Sequence, residues 1–276
     1  MAGMSDTGAK RALDLTAAII RETGPRLSGS EACKLAARRL EAEAAGIGDR
    51  TSLERFTAHP GAFLGFIRVL VVLYAAAAPL LAFLPWASAA LAALAVAILV
   101  LQFFLYEEVI DPFYPAREGI NVIAVLEPRL EAKRQLIVSG HHDSARIFNF
   151  YVDRPELFAR RINLGIGSVV LLLAASVALG AALAPPAARI AAAAAFVLGL
   201  AFVAPLWRFA SDEGTPGAGD NLASSAAALE ILRELRARRD AGKGLESTRV
   251  VFASFDAEEA GLRGARAFAA ARRDEF

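Results

Sequence analysis

Cysteine is almost absent from this chain of 276 residues, which contains one, Cys33. A single cysteine excludes an internal disulfide and argues against a metal site built from cysteines, since such sites combine several thiolates. The apolar spacing around Cys33 is helical, which predicts an ordinary buried side chain.

Two further absences narrow the possible functions. The 30 Lys and Arg residues nearly balance the 29 Asp and Glu residues, and no basic stretch is interleaved with aromatics, so a nucleic-acid partner is not expected. A secretory signal is not expected either, because the first ten residues are polar and no short apolar segment follows them.

Apolar residues, in contrast, are abundant: 56% of the chain is hydrophobic, more than a soluble domain usually contains. They concentrate in four runs of about twenty residues, long enough for a helix to cross a hydrocarbon core of roughly 30 Å. Short joints around Pro85-Trp86 and Pro185-Pro186 connect the runs in pairs, which predicts two transmembrane hairpins. The runs are residues 63–84, 87–106, 162–184 and 187–207. Buried helices of a soluble core are the alternative, but the remaining polar chain is too short to surround four of them.

The hairpins also predict an orientation. Each hairpin returns the chain to the side from which it entered, so all polar segments are expected on one side of the bilayer. Arginines flank the runs mainly on that side, which the positive-inside rule assigns to the cytoplasm. They are Arg55, Arg68, Arg117, Arg154, Arg160, Arg161 and Arg208, against Arg189 alone on the hairpin side. We therefore expect a multi-pass membrane protein that contacts the lipid bilayer and carries its polar domain in the cytoplasm.

The polar segments predict an α/β domain, a sheet flanked by helices. Ser30 is a suitable N-cap for a helix over residues 31–45. The other expected helices are 9–21, 221–239 and 260–273, and the expected strands are 120–126, 135–138 and 248–255. The resulting division is 1–60, 108–160 and 209–276 for the α/β domain, with hairpins at 61–107 and 161–208.

Polar side chains mark the ends of these elements. His141 and Asp143 follow the strand at 135–138, Asp220 precedes a helix, and Glu258 and Glu259 follow the strand at 248–255. Ligands of open α/β sheets bind at the carboxyl ends of strands, so these side chains are expected at one sheet edge. His141 can ligate a metal while Asp143 orients its other ring nitrogen. Taken singly, the first motif fits a polar turn and the Glu-Glu pair fits a helix N-terminus favoured by the helix dipole.

With these residues, the polar segments resemble the two-zinc exopeptidases of metallopeptidase family twenty-eight, which includes bacterial aminopeptidases. The resemblance rests on five stretches that lie on both sides of the hairpins. These are Arg26-Leu27-Ser28-Gly29-Ser30, Asn121-Val122-Ile123-Ala124, Ser139 to Ser144, Gly219-Asp220-Asn221 and Phe255 to Gly264. The resemblance implies a zinc-exopeptidase fold, two zinc ions and a peptide substrate shortened from its amino terminus.

The resemblance also implies a role for each residue. His141 would bind one zinc ion with Asp143 orienting it, Asp220 would bridge both ions through a possible cis peptide to Asn221, and Glu259 would bind the second ion. Glu258 would act as the general base toward the attacking water, and His142 would not be a ligand. Independently of the family, a metal can supply hydroxide near neutral pH, and Glu258 beside a ligand can relay a proton.

One departure from the family is visible at the end of the sequence. The family pattern continues beyond the Glu-Glu motif with an Asp and later a His that complete the two zinc sites, whereas this sequence ends at Phe276. The chain is therefore expected to be the N-terminal part of a longer enzyme and to have little activity as it stands. Two alternatives stay open: a membrane protein with this fold but no turnover, and a transporter with a polar appendage, which the few polar residues in the runs disfavour.

Overall fold

A computed structural model describes residues 5–275 of the chain. Residues 1–4, part of the polar start considered above, and Phe276, the last residue of the sequence, lie outside the described residues. The chain forms two compact units. The first unites the chain up to Pro60 with Pro115–Arg146 and the part from Glu213 onward, and the second comprises Gly61–Tyr114 and Ile147–Asp212. Whether these units correspond to the domains proposed from sequence stays a prediction.

The described residues contain nine α-helices and six strands, besides short 3-10 and π-helical turns. The helices are α1 (Asp6–Thr23), α2 (Glu31–Ala45), α3 (Pro60–Leu80), α4 (Pro85–Ile98), α5 (Asn149–Asp153), α6 (Phe158–Ala181), α7 (Pro186–Val203), α8 (Ala223–Asp240) and α9 (Arg263–Ala271). The strands are β1 (Arg50–Ala58), β2 (Arg117–Leu126), β3 (Arg134–His141), β4 (Arg146–Phe148), β5 (Ala210–Gly214) and β6 (Thr248–Phe255).

A four-stranded mixed sheet with helices against it forms the first unit, which confirms the mixed α/β class. Its strand order is β1-β2-β6-β3. Strand β2 runs antiparallel to both β1 and β6, whereas β3 runs parallel to β6 with His141 opposite Phe255. Because parallel strands end at the same edge, the sequence that follows β3 and the sequence that follows β6 begin side by side.

The main core of this unit lies between one sheet face and helices α1, α2 and α8. Leu40 from α2, Leu229 from α8 and Phe252 from β6 are fully or almost fully buried there. Burying a leucine or phenylalanine side chain contributes about 1.5–3 kcal/mol. A smaller cluster on the opposite face packs Phe268 of α9 against Ile123 and Val251. The sheet is thereby packed on both faces, more extensively on the face covered by α1, α2 and α8.

Local signals explain most of these boundaries. Helix α2 covers the predicted residues, and the Ser30 hydroxyl accepts a hydrogen bond from the Cys33 N–H at its start. Helix α9 is shorter than predicted, because Gly261 and Leu262 have positive φ values of 93° and 61° that no α-helix accommodates. Helix α8 begins two residues later than predicted, after a turn in which Asp220 and Asn221 have non-helical dihedrals and a cis peptide between them.

Strand β1 was not predicted, and its sequence explains why. Charged residues such as Arg50, Glu54 and Arg55 interrupt the apolar alternation of this stretch. It nevertheless pairs with β2 along all nine of its residues. As an edge strand it tolerates charged side chains, which also discourage pairing with other molecules.

The second unit is dominated by apolar helices. Four helical segments in the described residues are long and apolar enough to cross a membrane, a finding of length and composition only. They are Pro60–Leu80, Pro85–Phe104, Pro155–Ala181 and Pro186–Arg208, each within a few residues of a predicted run except at the start of the third. Polar groups inside this bundle are paired: the Ser88 hydroxyl donates to the Ala77 carbonyl and lies 2.8 Å from the Ser176 hydroxyl.

Candidate metal centre

His141 is the last residue of β3, and both of its ring nitrogens face carboxylates. Nδ1 lies 3.1 Å from Asp143 Oδ1, and Nε2 lies 3.2 Å from Asp220 Oδ1 and 3.5 Å from Glu258 Oε2. An ionised carboxylate only accepts hydrogen bonds, so Nδ1 carries a proton that it donates to Asp143. Nε2 is left facing the cluster, in the orientation that a metal-binding histidine requires.

Asp143 is fully buried and held in place by donors from three parts of the chain. The Ser28 hydroxyl donates to Oδ2 at 2.7 Å, and the backbone N–H of Glu259 donates to the same oxygen at 3.1 Å. Oδ1, the other oxygen, accepts hydrogen bonds from the backbone N–H of Glu258 and from His141 Nδ1. A buried carboxylate needs such a set of donors. Asp143 therefore fixes both the imidazole and the start of the Glu258-Glu259 turn.

Three candidate ligand atoms meet in front of this support. One ligand atom each from His141, Asp220 and Glu259 lie within 4.8 Å of one another. Asp220 is brought there by the turn before α8, and Glu259 by the turn after β6. The structure thus brings together every residue singled out from sequence, with Asp143 and Glu258 beside the three. Their roles as ligands, base and orienting residue stay predictions.

The electrostatics of the cluster follow from crowding of negative charge. Burial, together with the charges of Asp143 and Asp220, raises the pKa of Glu259 to about 7. Burial likewise raises the pKa of Glu258, with the charge of His141 opposing it. Burial would lower the pKa of His141, but the hydrogen bond and charge of Asp143 and the two glutamates outweigh it and raise that pKa to about 9.

The donor set fits a divalent cation. One imidazole and two carboxylates are a ligand combination that zinc accepts. Glu259 Oε1 is buried and has no hydrogen-bond partner among the described residues, which is unusual for a carboxylate oxygen. A cation between the three side chains would satisfy that oxygen and offset the mutual repulsion of the carboxylates. The cluster therefore has the composition and spacing of a metal-binding group.

Arg26 locks the loops that carry the site, although it lies outside the cluster. Its side chain is fully buried and donates to four carbonyl oxygens, those of Gly24, His142, Pro216 and Gly217, at 2.8–3.0 Å. One guanidinium thus ties the loop after β3 to the loop that leads to Asp220. Gly217 has a φ of 57°, and a Cβ there would lie 2.9 Å from the guanidinium, so a side chain at this position would clash with Arg26.

A second group of polar side chains lies deeper. Cys33, His142 and Asp256 are all buried, and one potential ligand atom from each lies within 4.8 Å of the others. The oxygens of Asp256 already accept backbone N–H groups and the Cys33 thiol, which donates across 3.2 Å. His142 Nδ1 lies 3.0 Å from Ser254 Oγ, and burial lowers the pKa of His142 to about 4. These contacts indicate a structural support for the sheet edge.

Three supporting residues were not assigned a role from sequence: Ser28, Arg26 and Ser225. Ser28 and Arg26 belong to a stretch that carried the family resemblance, but they lie 115 and 116 positions away from their partners Asp143 and His142. Ser225 donates to the His141 carbonyl at 3.2 Å from the first turn of α8. Hydroxyls and arginines in loops are too common for sequence spacing to single them out.

Comparison with known proteins adds a family match. The family described as Peptidase family M28 matches residues 202–275, the segment that contains Asp220, Glu258 and Glu259. The match covers 74 of 276 residues. No curated protein matches the chain.

Several solved structures are similar in outline. One is a glutaminyl cyclase from Fimbriiglobus ruber, with a TM-score of 0.48, 13% identity, and coverage of 99% of this chain and 58% of the other. A zinc aminopeptidase from Bacillus subtilis has a TM-score of 0.44, 13% identity, and coverage of 95% and 64%. An aminopeptidase from Aneurinibacillus sp. strain AM-1 has a TM-score of 0.43, 14% identity, and coverage of 97% and 68%. This chain spans less than two thirds of the length of the first two.

Proposed function

We propose that this protein is a membrane-anchored, zinc-dependent aminopeptidase that releases amino-terminal residues from peptides. The observation that carries the proposal is the convergence of His141, Asp220 and Glu259 within 4.8 Å, with Asp143 behind the imidazole. A cluster of this composition at the carboxyl ends of parallel strands is suited to metal-assisted hydrolysis. The match to a peptidase family over residues 202–275 supports the same reaction class.

In this proposal some residues bind the metal ion and another transfers protons. His141, Asp220 and Glu259 would hold zinc, and Asp143 would keep the imidazole in its Nδ1-H tautomer. Bound zinc supplies a Lewis acid, which lowers the pKa of water toward about 7. Glu258 accepts a proton from the attacking water and delivers it to the amine nitrogen of the leaving product. Burial raises the pKa of Glu258, which makes it a stronger base toward water than an exposed glutamate.

The membrane anchor is the second part of the proposal. Four helices have the length and composition of transmembrane spans, and large apolar side chains on them are exposed, for example Leu171 at 63% and Leu198 at 76%. Exposed apolar surface of this extent is unfavourable in water and favourable in lipid. Because each hairpin returns to its starting side, the three segments of the α/β unit would share one side, which we propose is the cytoplasmic one.

The test combines an activity and a metal measurement on the purified protein in detergent. The expected release of amino-terminal residues is weak, as the sequence predicts for this chain, and a chelator should abolish it and added zinc should restore it. Glu258→Gln should lower the turnover by about 10²- to 10⁴-fold while the zinc content stays unchanged, because the base is lost and no ligand is. Glu246 is an exposed glutamate before the opposite end of β6, so Glu246→Gln is the matched control and should keep the activity of the parent chain.

Two results would contradict the proposal in different ways. Zinc bound at full occupancy without any peptide hydrolysis would favour the alternative of a membrane protein that keeps the fold without turnover. Loss of zinc in Glu258→Gln would show that this residue is a ligand and that the base lies elsewhere. A peptide with amino-terminal glutamine belongs in the substrate panel, since cyclisation of that peptide would indicate the reaction named for two similar structures.

A further inference from the structure

A cavity of about 460 Å³ lies in the second unit where the apolar helices α6 and α7 begin and end. Its walls include Arg161 in the first turn of α6 and Arg208 just after α7. The two helices are antiparallel partners of one hairpin, so both arginines lie at its open end. Both also lie near the ends of candidate membrane spans, the level at which lipid headgroups are found.

Contacts other than ion pairs hold these two arginines: a ring contact for the Arg161 side chain and a hydrogen bond for the Arg208 backbone. The Arg161 guanidinium lies over the ring of Phe150 at 5.2 Å, and Phe150 is itself buried. The backbone of Arg208 is fixed by the Asn149 side-chain amide, which donates to its carbonyl at 2.7 Å. In the described part of the chain, neither guanidinium forms an ion pair with an acidic side chain. Two such cations are suited to a phosphate group.

The rest of the cavity is divided into a polar and an apolar part. Asp153 is its acidic residue, so the charges of the lining sum to +1 with the two arginines. Leu164, one turn after Arg161, and Phe202 form apolar walls and are 40% and 50% exposed. A ligand with one net negative charge and an adjoining hydrocarbon chain would match both parts. A zwitterionic headgroup would leave the positive charge unbalanced.

We infer that this cavity binds the phosphodiester of an anionic phospholipid, of which phosphatidylglycerol is the simplest example, with its acyl chains along Leu164 and Phe202. The inference rests on the proposed insertion of the helices into a membrane. It goes beyond the peptidase reaction, because none of these residues belongs to the metal centre.

Lipid retention by the purified protein tests the inference. The detergent-solubilised chain is titrated separately with phosphatidylglycerol, phosphatidylcholine and inorganic phosphate, and bound molecules are counted by native mass spectrometry. We expect phosphatidylglycerol to bind at least about 10-fold more tightly than phosphatidylcholine. The double variant Arg161→Gln/Arg208→Gln should lose this preference. The matched control Arg154→Gln/Arg160→Gln, which removes two exposed arginines outside the cavity, should retain it.

Further arms separate the possible outcomes. Arg161→Lys/Arg208→Lys, which preserves charge, should keep most of the preference and guards against a loss caused by misfolding of the glutamine variant. Equal loss in the control pair, or inorganic phosphate that competes as well as the lipid, would overturn the inference. Extraction of the chain from membranes by alkaline carbonate would overturn the anchoring and the lipid site together. Resistance to carbonate with no preference for phosphatidylglycerol would overturn the lipid site alone.

Discussion

At the scale of single residues, the site depends on Asp143 more than on any exposed side chain. Asp143 is buried and contacts His141 while accepting the backbone N–H groups of Glu258 and Glu259. The carboxylate thus couples the orientation of a proposed ligand to the position of the proposed base. Residues that support metal ligands in this way affect affinity without touching the metal.

The Ser28 hydroxyl provides a mild test of that coupling. Ser28→Ala removes the 2.7 Å hydrogen bond to Asp143 Oδ2 and leaves the other donors in place. We expect zinc affinity to fall by about 10-fold, as for other residues that support ligands. Isothermal titration with zinc measures the change, and Ser28→Thr, which keeps the hydroxyl, should restore affinity. An unchanged affinity in Ser28→Ala would mean that the backbone donors alone hold Asp143.

Asp49 allows a test of pH dependence away from the site. Burial raises the pKa of Asp49, but hydrogen bonds from Arg239 and from the Glu127 N–H outweigh it and hold that pKa below its ordinary value. A lowered pKa in the folded state stabilises the protein above the ordinary pKa of about 4, and this contribution is lost as the pH falls through the folded value.

Asp49→Asn should therefore destabilise the protein by about 1 kcal/mol at pH 7, the upper end for partly exposed ion pairs. The difference from the parent should shrink as the pH falls below about 4. Chemical unfolding at a series of pH values measures it. Asp240→Asn, a more exposed neighbour of the same arginine, is the control with a smaller expected effect. A difference that persists at low pH would mean that the charge of Asp49 is not its source.

At the scale of elements, the approach of β3 to α8 leaves no room for a side chain at Gly140. A Cβ at this position would lie 2.5 Å from the Ser225 backbone nitrogen and 2.8 Å from Ser225 Oγ. Gly140→Ala should therefore displace α8 or β3 and destabilise the protein by about 1–3 kcal/mol, the usual effect of overpacking.

The displacement should also weaken zinc binding, because Gly140 precedes His141 and Ser225 lies close to Asp220 in the chain. Thermal unfolding and zinc titration of the same samples measure both effects. Gly167→Ala on α6, where a Cβ would meet nothing within 4 Å, is the matched control. If Gly140→Ala were as stable as the control, the contact between β3 and α8 would be looser than described.

Elements with strong local signals could be predicted from sequence. Helix α2 has a serine N-cap and regular apolar spacing, and β6 is a continuous run of strand-forming residues, so the bounds of both follow from sequence. Strand β1 could not be predicted, because an exposed edge strand with charged side chains lacks the apolar alternation that identifies strands. The predicted start of α9 at residue 260 was three residues too early, because the positive φ at Leu262 has no sequence signal.

The candidate site, too, could be predicted from sequence only in part. Four of its five central residues follow from their positions after β3 and β6, because the carboxyl ends of parallel strands coincide in space, and Asp220 follows from its position before a helix. The residues that hold them could not be found, since Ser28 and Arg26 reach the site only through the packing of α1 and α2 on the sheet. Side-chain contacts between distant loops depend on loop conformation, which sequence periodicity does not describe.

At the scale of the whole molecule, the even number of apolar helices between polar segments leads to a topology prediction. Leu183 lies in the turn between α6 and α7 and is 88% exposed, and Lys243 lies in an exposed loop after α8. Single cysteines at these positions should react with an impermeant reagent from opposite sides of the membrane. Cys33 is fully buried and should stay unlabelled under native conditions.

Labelling in intact cells should modify Leu183→Cys and not Lys243→Cys, and opening the cells should make Lys243→Cys reactive. Modification of both variants in intact cells would contradict the hairpin arrangement. The reverse pattern, with Lys243→Cys alone modified, would keep the hairpins and reverse the orientation expected from the arginines.

The division of the α/β unit into three chain segments has a consequence for its synthesis. Strand β2 pairs with β6, yet more than a hundred residues, including one apolar hairpin, are translated between them. Strand β3, which carries His141, has no parallel partner until β6 leaves the ribosome. Pairing over such separations is slow, because a long loop must close before contacts compensate for it. The nascent chain therefore exposes the edges of β2 and β3 throughout translation of the second hairpin, and this interval is when holding chaperones would matter most for its yield.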